Sequence, residues 1–348
     1  MSIKSRAAVT AGIILLLVST IAWGRFQAAA SGKHMSKHAA AFLAALDDEQ
    51  KAKAALPFDA PGRTDWHFIP KPTRKGLQIR EMSAEQRKKA HALLESSLSK
   101  VGYGKATKIM ELENLLKELE KGKTGTPLRD SERYYFTVFG TPGDDDKWAL
   151  SIEGHHMSLN FTLDQGNVTS FAPLALCSNP ATVMTDALPS IKKGTRLLAS
   201  EEQLAFDLLA SLTADQKKKA IFAEKALMEV RGAGEPQPPQ TAADGLPAKA
   251  MTAKQNEQFK QLVAAYLANV PDDVAAQRLT KIEANWDSVH FAWAGAEQPG
   301  TGHYYRVQGD TFLIEFVNTQ PDAAGNIANH IHCVWRNTEG DFGVPVKK

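Results

Sequence analysis

The chain is 348 residues long, with 43% apolar and 23% charged side chains and a formal charge of +2. This composition excludes an intrinsically disordered chain, and two cysteines, Cys177 and Cys333, exclude a disulfide scaffold. Three positive charges, Lys4, Arg6 and Arg25, lie before residue 31; beyond them 38 basic groups face 39 acidic ones, which leaves no electrostatic footprint for nucleic acid.

At the N-terminus, Lys4 and Arg6 precede an apolar run from Ala7 to Trp23, and Ala28-Ala29-Ala30 fits a small-x-small cleavage rule. That is the pattern of a secretory signal peptide over residues 1–30. The run is slightly short for a membrane span, which needs about 20 residues. The expectation is a periplasmic or secreted protein with no stable membrane span after cleavage. In that compartment Cys177 and Cys333 can pair, provided their Cα atoms lie within about 7 Å.

Four segments then read alike: Asp47–Gln50, Ser83–Gln86, Thr213–Gln216 and Thr252–Gln255. Each places Ser, Thr or Asp three residues before Gln at the head of a helix-like run, the signature of a capping box. The boxes fall into two pairs, and a β-rich stretch follows each second box. Gly140, Gly154 and Phe161 match Gly295, Gly309 and Phe316 at an offset of 155. The fold class read from this pattern is α+β: two duplicated helix–helix–β-hairpin units with antiparallel sheets packed on helices. The first unit covers 38–175 and the second 200–345, packed as one compact domain.

Within the first unit, Ile109, Leu112, Leu116 and Leu119 keep helical spacing over Lys105 to Gly122, with the stripe buried. Strands are expected at Tyr134–Phe139, Lys147–Ile152 and Met157–Leu163. In the second unit the Pro/Gly-rich stretch from Gly232 to Pro247 reads as an exposed loop. Strands at His303–Val307 and Thr311–Val317 flank a tight turn at Gly309-Asp310.

Two histidine clusters carry the chemical signal. His330 and His332 share a face if Ile327 to Trp335 is extended, because strand side chains alternate. Two imidazoles so placed reach one ion at about 2.0–2.1 Å. At the offset of 155, His156, Ser158 and Asn160 take the face of Thr311, Leu313 and Glu315, while Met157, Leu159 and Phe161 take the core face. His156, His330 and His332 with Glu315 would form a His/carboxylate set for a divalent metal, zinc, manganese or iron. His155 sits at the turn, capping it or standing behind the ligands. Arg306, two residues from Tyr304, is a candidate for bidentate contact with a carboxylate or phosphate, or for a salt bridge within the sheet. No serine-nucleophile turn or phosphate-binding loop is present.

Trp66-His67-Phe68-Ile69-Pro70, Gly154-His155-His156-Met157-Ser158-Leu159-Asn160, His303-Tyr304-Tyr305-Arg306, Ile314-Glu315-Phe316-Val317-Asn318-Thr319-Gln320 and Asn329-His330-Ile331-His332-Cys333-Val334-Trp335-Arg336 occur in that order. Together with Gly340-Asp341-Phe342-Gly343 they make the chain resemble the domain of unknown function 3500 family. The resemblance implies a bacterial exported protein, and no assigned activity comes with it.

Two functions follow as expectations. One is an exported metal-dependent enzyme of hydrolytic or oxidative type acting on a small molecule, with Glu315 and Arg306 as its catalytic candidates. Its metal would lower the pKa of a bound water or polarise a substrate oxygen. The other is a non-enzymatic periplasmic protein binding a sugar or another small polar ligand in a groove of Trp66, Tyr304, Tyr305 and Trp335. Oligomeric state and metal identity are left open by the sequence.

Overall fold

The computed structural model describes residues 30–347, so the signal-peptide expectation over 1–30 lies almost wholly outside the described residues. Helix α1 spans 30–44, followed by α2 (Asp48–Ala54), α3 (Ala84–Ser97) and α4 (Lys100–Leu119). The second half carries α5 (Ala199–Ser211), α6 (Ala214–Ala220), α7 (Ala253–Leu267) and α8 (Asp272–Glu283).

All four Gln segments form reciprocal capping boxes, at the starts of α2, α3, α6 and α7. Each satisfies orphan amides of a first helical turn and is worth about 1 kcal/mol. The glutamines also meet each other. Gln50 and Gln86 exchange amide hydrogen bonds of 3.1 and 2.7 Å, and Gln216 and Gln255 exchange bonds of 3.0 and 2.9 Å. Each Gln amide donates a further bond to a backbone carbonyl of the partner segment, as Gln86 does to Ala45 at 2.9 Å. Every box therefore caps its own helix and docks it on the next.

Thirteen strands form one sheet among the described residues. They are β1 (Ala55–Leu56), β2 (Leu77–Gln78), β3 (Tyr135–Phe139), β4 (Trp148–Gly154), β5 (Met157–Asp164), β6 (Asn167–Ser170) and β7 (Leu174–Leu176), then β8 (Ile221–Ala223), β9 (Leu246–Pro247), β10 (His290–Gly295), β11 (His303–Gln308), β12 (Leu313–Gln320) and β13 (His330–Arg336). The order is β1-β3-β4-β5-β7-β13-β12-β11-β10-β8, with β2 also on β3, β6 on β5 and β9 on β10. All pairs are antiparallel except β1 with β3 and β8 with β10. Separate sheets were expected; a single sheet results because β7 pairs with both β5 and β13 and bridges the halves.

The registers of the two meanders agree at an offset of 155. Tyr135 faces Glu153 as His290 faces Gln308, and Trp148 faces Leu163 as His303 faces Asn318. The first turn holds His155-His156 and the second Asp310-Thr311.

One face of the sheet packs under the helices. Phe42, Leu93, Ile109, Phe206 and Phe259 meet Phe136, Leu159, Trp293, Phe316 and Trp335 there. The other face is covered by irregular segments 57–76 and 224–245, which bring Trp66, Phe68 and Val230 onto Ala175, Tyr304, Val317 and Val334. That second face also buries Ser151, Glu153, Ser158, Asn160, Arg306, Glu315 and His332. Buried polar groups need partners, so the covering segments supply hydrogen bonds as well as apolar area.

Two expectations are corrected by this layering. Cys333 joins the helix-side core and Cys177 the loop-side one, so the thiols sit on opposite faces and both are free. Trp66 and Tyr304 likewise lie on the loop side, Tyr305 and Trp335 on the helix side, all buried. They line no common groove.

Candidate metal centre

The β4–β5 turn sits at the end of β7, in the seam between the halves. His156 occupies the left-handed region at φ 64, a conformation that costs a non-glycine residue about 1–3 kcal/mol unless its surroundings impose it. Here they do. The His156 N–H donates to the Phe68 carbonyl at 2.7 Å, and the His156 carbonyl accepts from the Cys177 amide at 2.8 Å. A side chain at Gly154 would lie 2.2 Å from the Tyr134 ring, so the strand can enter this turn only as glycine. The ring of His156, 2% exposed, is thereby aimed across β7 toward β13.

His330 and His332 come from the start of β13, pointing to one face as strand parity requires. Their strand begins beside an irregularity in the β12–β13 register at Asn318 and Gln320. Asn318 Oδ1 accepts from the His330 amide at 3.0 Å and so fixes where the strand starts. Asn329 bonds both backbone groups of Thr182, at 2.7 and 2.9 Å, tying this end of β13 to the segment after β7.

The three rings converge. His330 Nε2 lies 2.8 Å from His156 Nε2 and 2.9 Å from His332 Nε2, and the three ligand atoms fall within 4.8 Å of one another. Ring planes of His330 stand at 88° and 87° to those of His156 and His332. His332 Nδ1 donates to Glu229 Oε2 at 2.7 Å, since a carboxylate only accepts. His332 Nε2 is thus left facing the other two rings. Phe68 packs on the His332 ring at 4.8 Å and closes the centre from the loop side.

His330 Nε2 offers either one proton or one lone pair, yet it faces two nitrogens at hydrogen-bond distance. Asn179 Nδ2 also lies 3.3 Å from His330 Nδ1, and with one two-centre bond per nitrogen no assignment of neutral tautomers satisfies both Nε2 contacts. A cation shared by three lone pairs does.

Burial, and then the neighbouring His155, His330 and His332, holds His156 well below its ordinary pKa. Burial, and then His332, lowers His330 to about 3. Both rings are therefore neutral at neutral pH, the form that binds metal.

His155 lies against His156 with ring centroids 3.6 Å apart and planes tilted by 31°. Its Nδ1 lies 2.5 Å from Glu113 Oε1, and Arg129, paired with Glu120 through two bonds of 2.8 Å, places Nη1 2.8 Å from the same nitrogen. Glu113, His155 and His156 also fall within ligand distance of one another. Two rings layered this closely, however, direct their in-plane lone pairs nearly side by side, and one ion takes both poorly. His155 stands behind His156 and is held by Glu113; its role exceeds capping of the turn.

The structure does not bring Glu315 to the histidines. It is fully buried on the same face, but Oε1 accepts from Arg231 Nε at 2.8 Å and from the Tyr304 hydroxyl. Val317, not Glu315, lies opposite His332. Arg306 Nη2 pairs with Asp244 at 3.0 Å, and its guanidinium covers Phe222 at 5.2 Å. It too stands apart from the cluster, in a salt bridge to a covering loop.

Glu229, Glu113 and Arg129 went unnoticed in the sequence. Glu113 had a signal: it falls four residues after Ile109 and three before Leu116, inside the apolar stripe of α4, and is buried. A carboxylate at a core position of an amphipathic helix asks for a partner. Glu229 lies in an irregular loop and has no comparable signal.

No curated protein and no solved structure matches the chain. The family model described as "Protein of unknown function (DUF3500)" matches residues 28–344, and the chain belongs to that family.

Proposed function

We propose that this is an exported metal-dependent enzyme of hydrolytic or oxidative type, whose divalent ion is held by His156, His330 and His332. The observation that carries the reading is the double contact of His330 Nε2, at 2.8 and 2.9 Å, which one shared cation satisfies. Of zinc, manganese and iron, three neutral imidazoles suit zinc and iron best, and magnesium and calcium, which prefer oxygen, poorly. Such an ion supplies Lewis acidity or redox chemistry. Glu229 would fix the tautomer of His332 and raise its basicity, as carboxylates behind metal-bound histidines do. Glu113 and His155 would support His156 in the same way. Glu315 and Arg306 have no part in this assignment.

The duplicated architecture gives the site a rationale. We infer two copies of a helix–helix–hairpin unit, supported by the shared registers, the paired capping boxes and the parallel edge strands β1 and β8. His156 then belongs to one copy and His330 and His332 to the end of the other, so the centre lies where the copies meet.

Two measurements test the reading. The full chain would be dialysed against zinc, manganese and iron salts and its metal content determined, beside His330→Ala and His332→Ala. Retention by the wild type with loss in both variants supports the centre; equal retention in all three sinks it. N-terminal sequencing of the protein purified from its host should begin near Ser31, and intact Met1 recovered from a membrane fraction would count against cleavage and release.

A further inference from the structure

A cavity of about 430 Å³ opens on the far side of His155 from the three-histidine cluster, within the size range of small-molecule sites. His155 and Glu113 form part of its wall. Pro70, Pro127, Leu128 and Tyr134 give it apolar sides.

Its charges do not balance. Asp130 is already paired with Arg80; Glu113 hydrogen-bonds His155, a ring that burial keeps neutral, and has the Arg129 guanidinium nearby to offset its charge. Glu153, just behind Arg74, is shared between two cations, Arg74 at 3.7 Å and Lys75 at 2.5 Å. Arg133 donates only to the carbonyls of Lys71 and Pro72, at 3.3 and 2.5 Å, and has no carboxylate partner among the described residues. Lys71 has none either. A second observation points the same way. The hydroxyl of Tyr135, a side chain 3% exposed that lines the cavity, has no hydrogen-bond partner among the described residues. A buried donor without an acceptor costs about 1–3 kcal/mol.

We propose that this cavity binds a small organic anion, a carboxylate or phosphate head on an apolar body, with Arg133 and Lys71 neutralising the head. Arg133 suits the task because a guanidinium receives planar oxyanions on two parallel N–H bonds. The prolines, Leu128 and Tyr134 cover the apolar body. His155 is the partition between this ligand and the His156 ring against which it lies. That the ligand is the substrate of the centre rests on the metal reading above; that it binds does not.

The experiment is calorimetric titration of the full-length mature chain with benzoate, phenyl phosphate and, as the neutral control, benzyl alcohol. Each titration is run on chelator-treated protein and on protein dialysed against zinc, with bound zinc counted in the same samples. Saturable binding of at least one anion is expected, at least about tenfold tighter than benzyl alcohol, which corresponds to about 1.4 kcal/mol. Benzoate and phenyl phosphate then separate carboxylate from phosphate recognition. Arg133→Ala should weaken the anion about tenfold or more and Arg133→Lys less, with benzyl alcohol unchanged. Lys71→Ala, on a looser side chain, keeps the test open should Arg133→Ala fail to fold. Anion binding without zinc binding would uphold the cavity and remove zinc as the ion of the centre. Zinc binding with no preference for the anions, or with a preference that survives both substitutions, would overturn the cavity assignment and leave the metal reading standing.

Discussion

His332 turns its Nδ1 to Glu229, 2.7 Å away, and its Nε2 to His330, 2.9 Å away. One carboxylate thereby decides which nitrogen faces the cluster. Removing it frees the ring to take the other tautomer. Glu229→Ala is predicted to keep the fold and to weaken zinc about 10- to 100-fold, the usual effect of losing such a partner. Competition with a chromophoric chelator measures this. Unchanged affinity would mean that His332 is oriented by packing on Phe68 alone.

Glu315 and the histidines share a face of the sheet but not a partner. Its carboxylate is fully buried against Arg231 and Tyr304. Arg231→Ala should destabilise the chain by about 3 kcal/mol, the lower end of the cost of stranding one member of a buried pair, because Arg231 keeps some solvent access. Metal content should be unaffected. Urea unfolding and elemental analysis on the same preparation read both. Loss of metal without loss of stability would return Glu315 to the ligand set.

The Gln50–Gln86 amide pair predicts a coupling that helix capping alone does not. Each single alanine variant should cost about 1 kcal/mol through its own cap. If the reciprocal bonds of 3.1 and 2.7 Å matter, the double variant should cost less than the sum by about 0.5 kcal/mol or more. Strict additivity would make the boxes independent caps.

Acid should destabilise the metal-free chain in two overlapping stages. His330 titrates at about 3 in the folded chain, held down by burial and then by His332, against an ordinary value of 6.5. The unfolded chain therefore binds the extra proton first, and stability falls as pH drops from about 6.5 to 3. Burial opposes ionisation of Glu202, but the neighbouring His303 and hydrogen bonds from Asn318 and Arg196 prevail and hold it at about 2, against 4.5. Its stabilisation is complete above about 4.5 and is lost toward pH 2. Urea midpoints measured from pH 7 to 2.5 should decline throughout, and Glu202→Gln should flatten the part below 4.5. A midpoint independent of pH above 4.5 would contradict the neutral burial of His330.

How far the sequence was legible depended on distance along the chain. Capping boxes are local, three residues from N-cap to Gln, and all four were readable. Their pairing joins residues 36 and 39 positions apart and left no local mark. The shared face of His330 and His332 followed from strand parity, and the inward face of Met157, Leu159 and Phe161 from alternation. The link from Glu315 to the cluster failed for a physical reason. Parity gives the face of a side chain but not its neighbour, and the neighbour of Glu315 is Arg231, delivered by an irregular loop. The bridging strand Leu174–Leu176 was equally hidden, because three apolar residues are too few to alternate. Without it the two histidine clusters could not be placed on strands that flank a common neighbour.

The most direct test of the centre is X-ray absorption at the edge of whichever metal the purified full-length chain retains. The account predicts about one ion per chain with imidazole scattering from three nitrogens at about 2.0–2.1 Å, reduced in His330→Ala. An oxygen-only shell, or an imidazole signal that His330→Ala leaves unchanged, would contradict it.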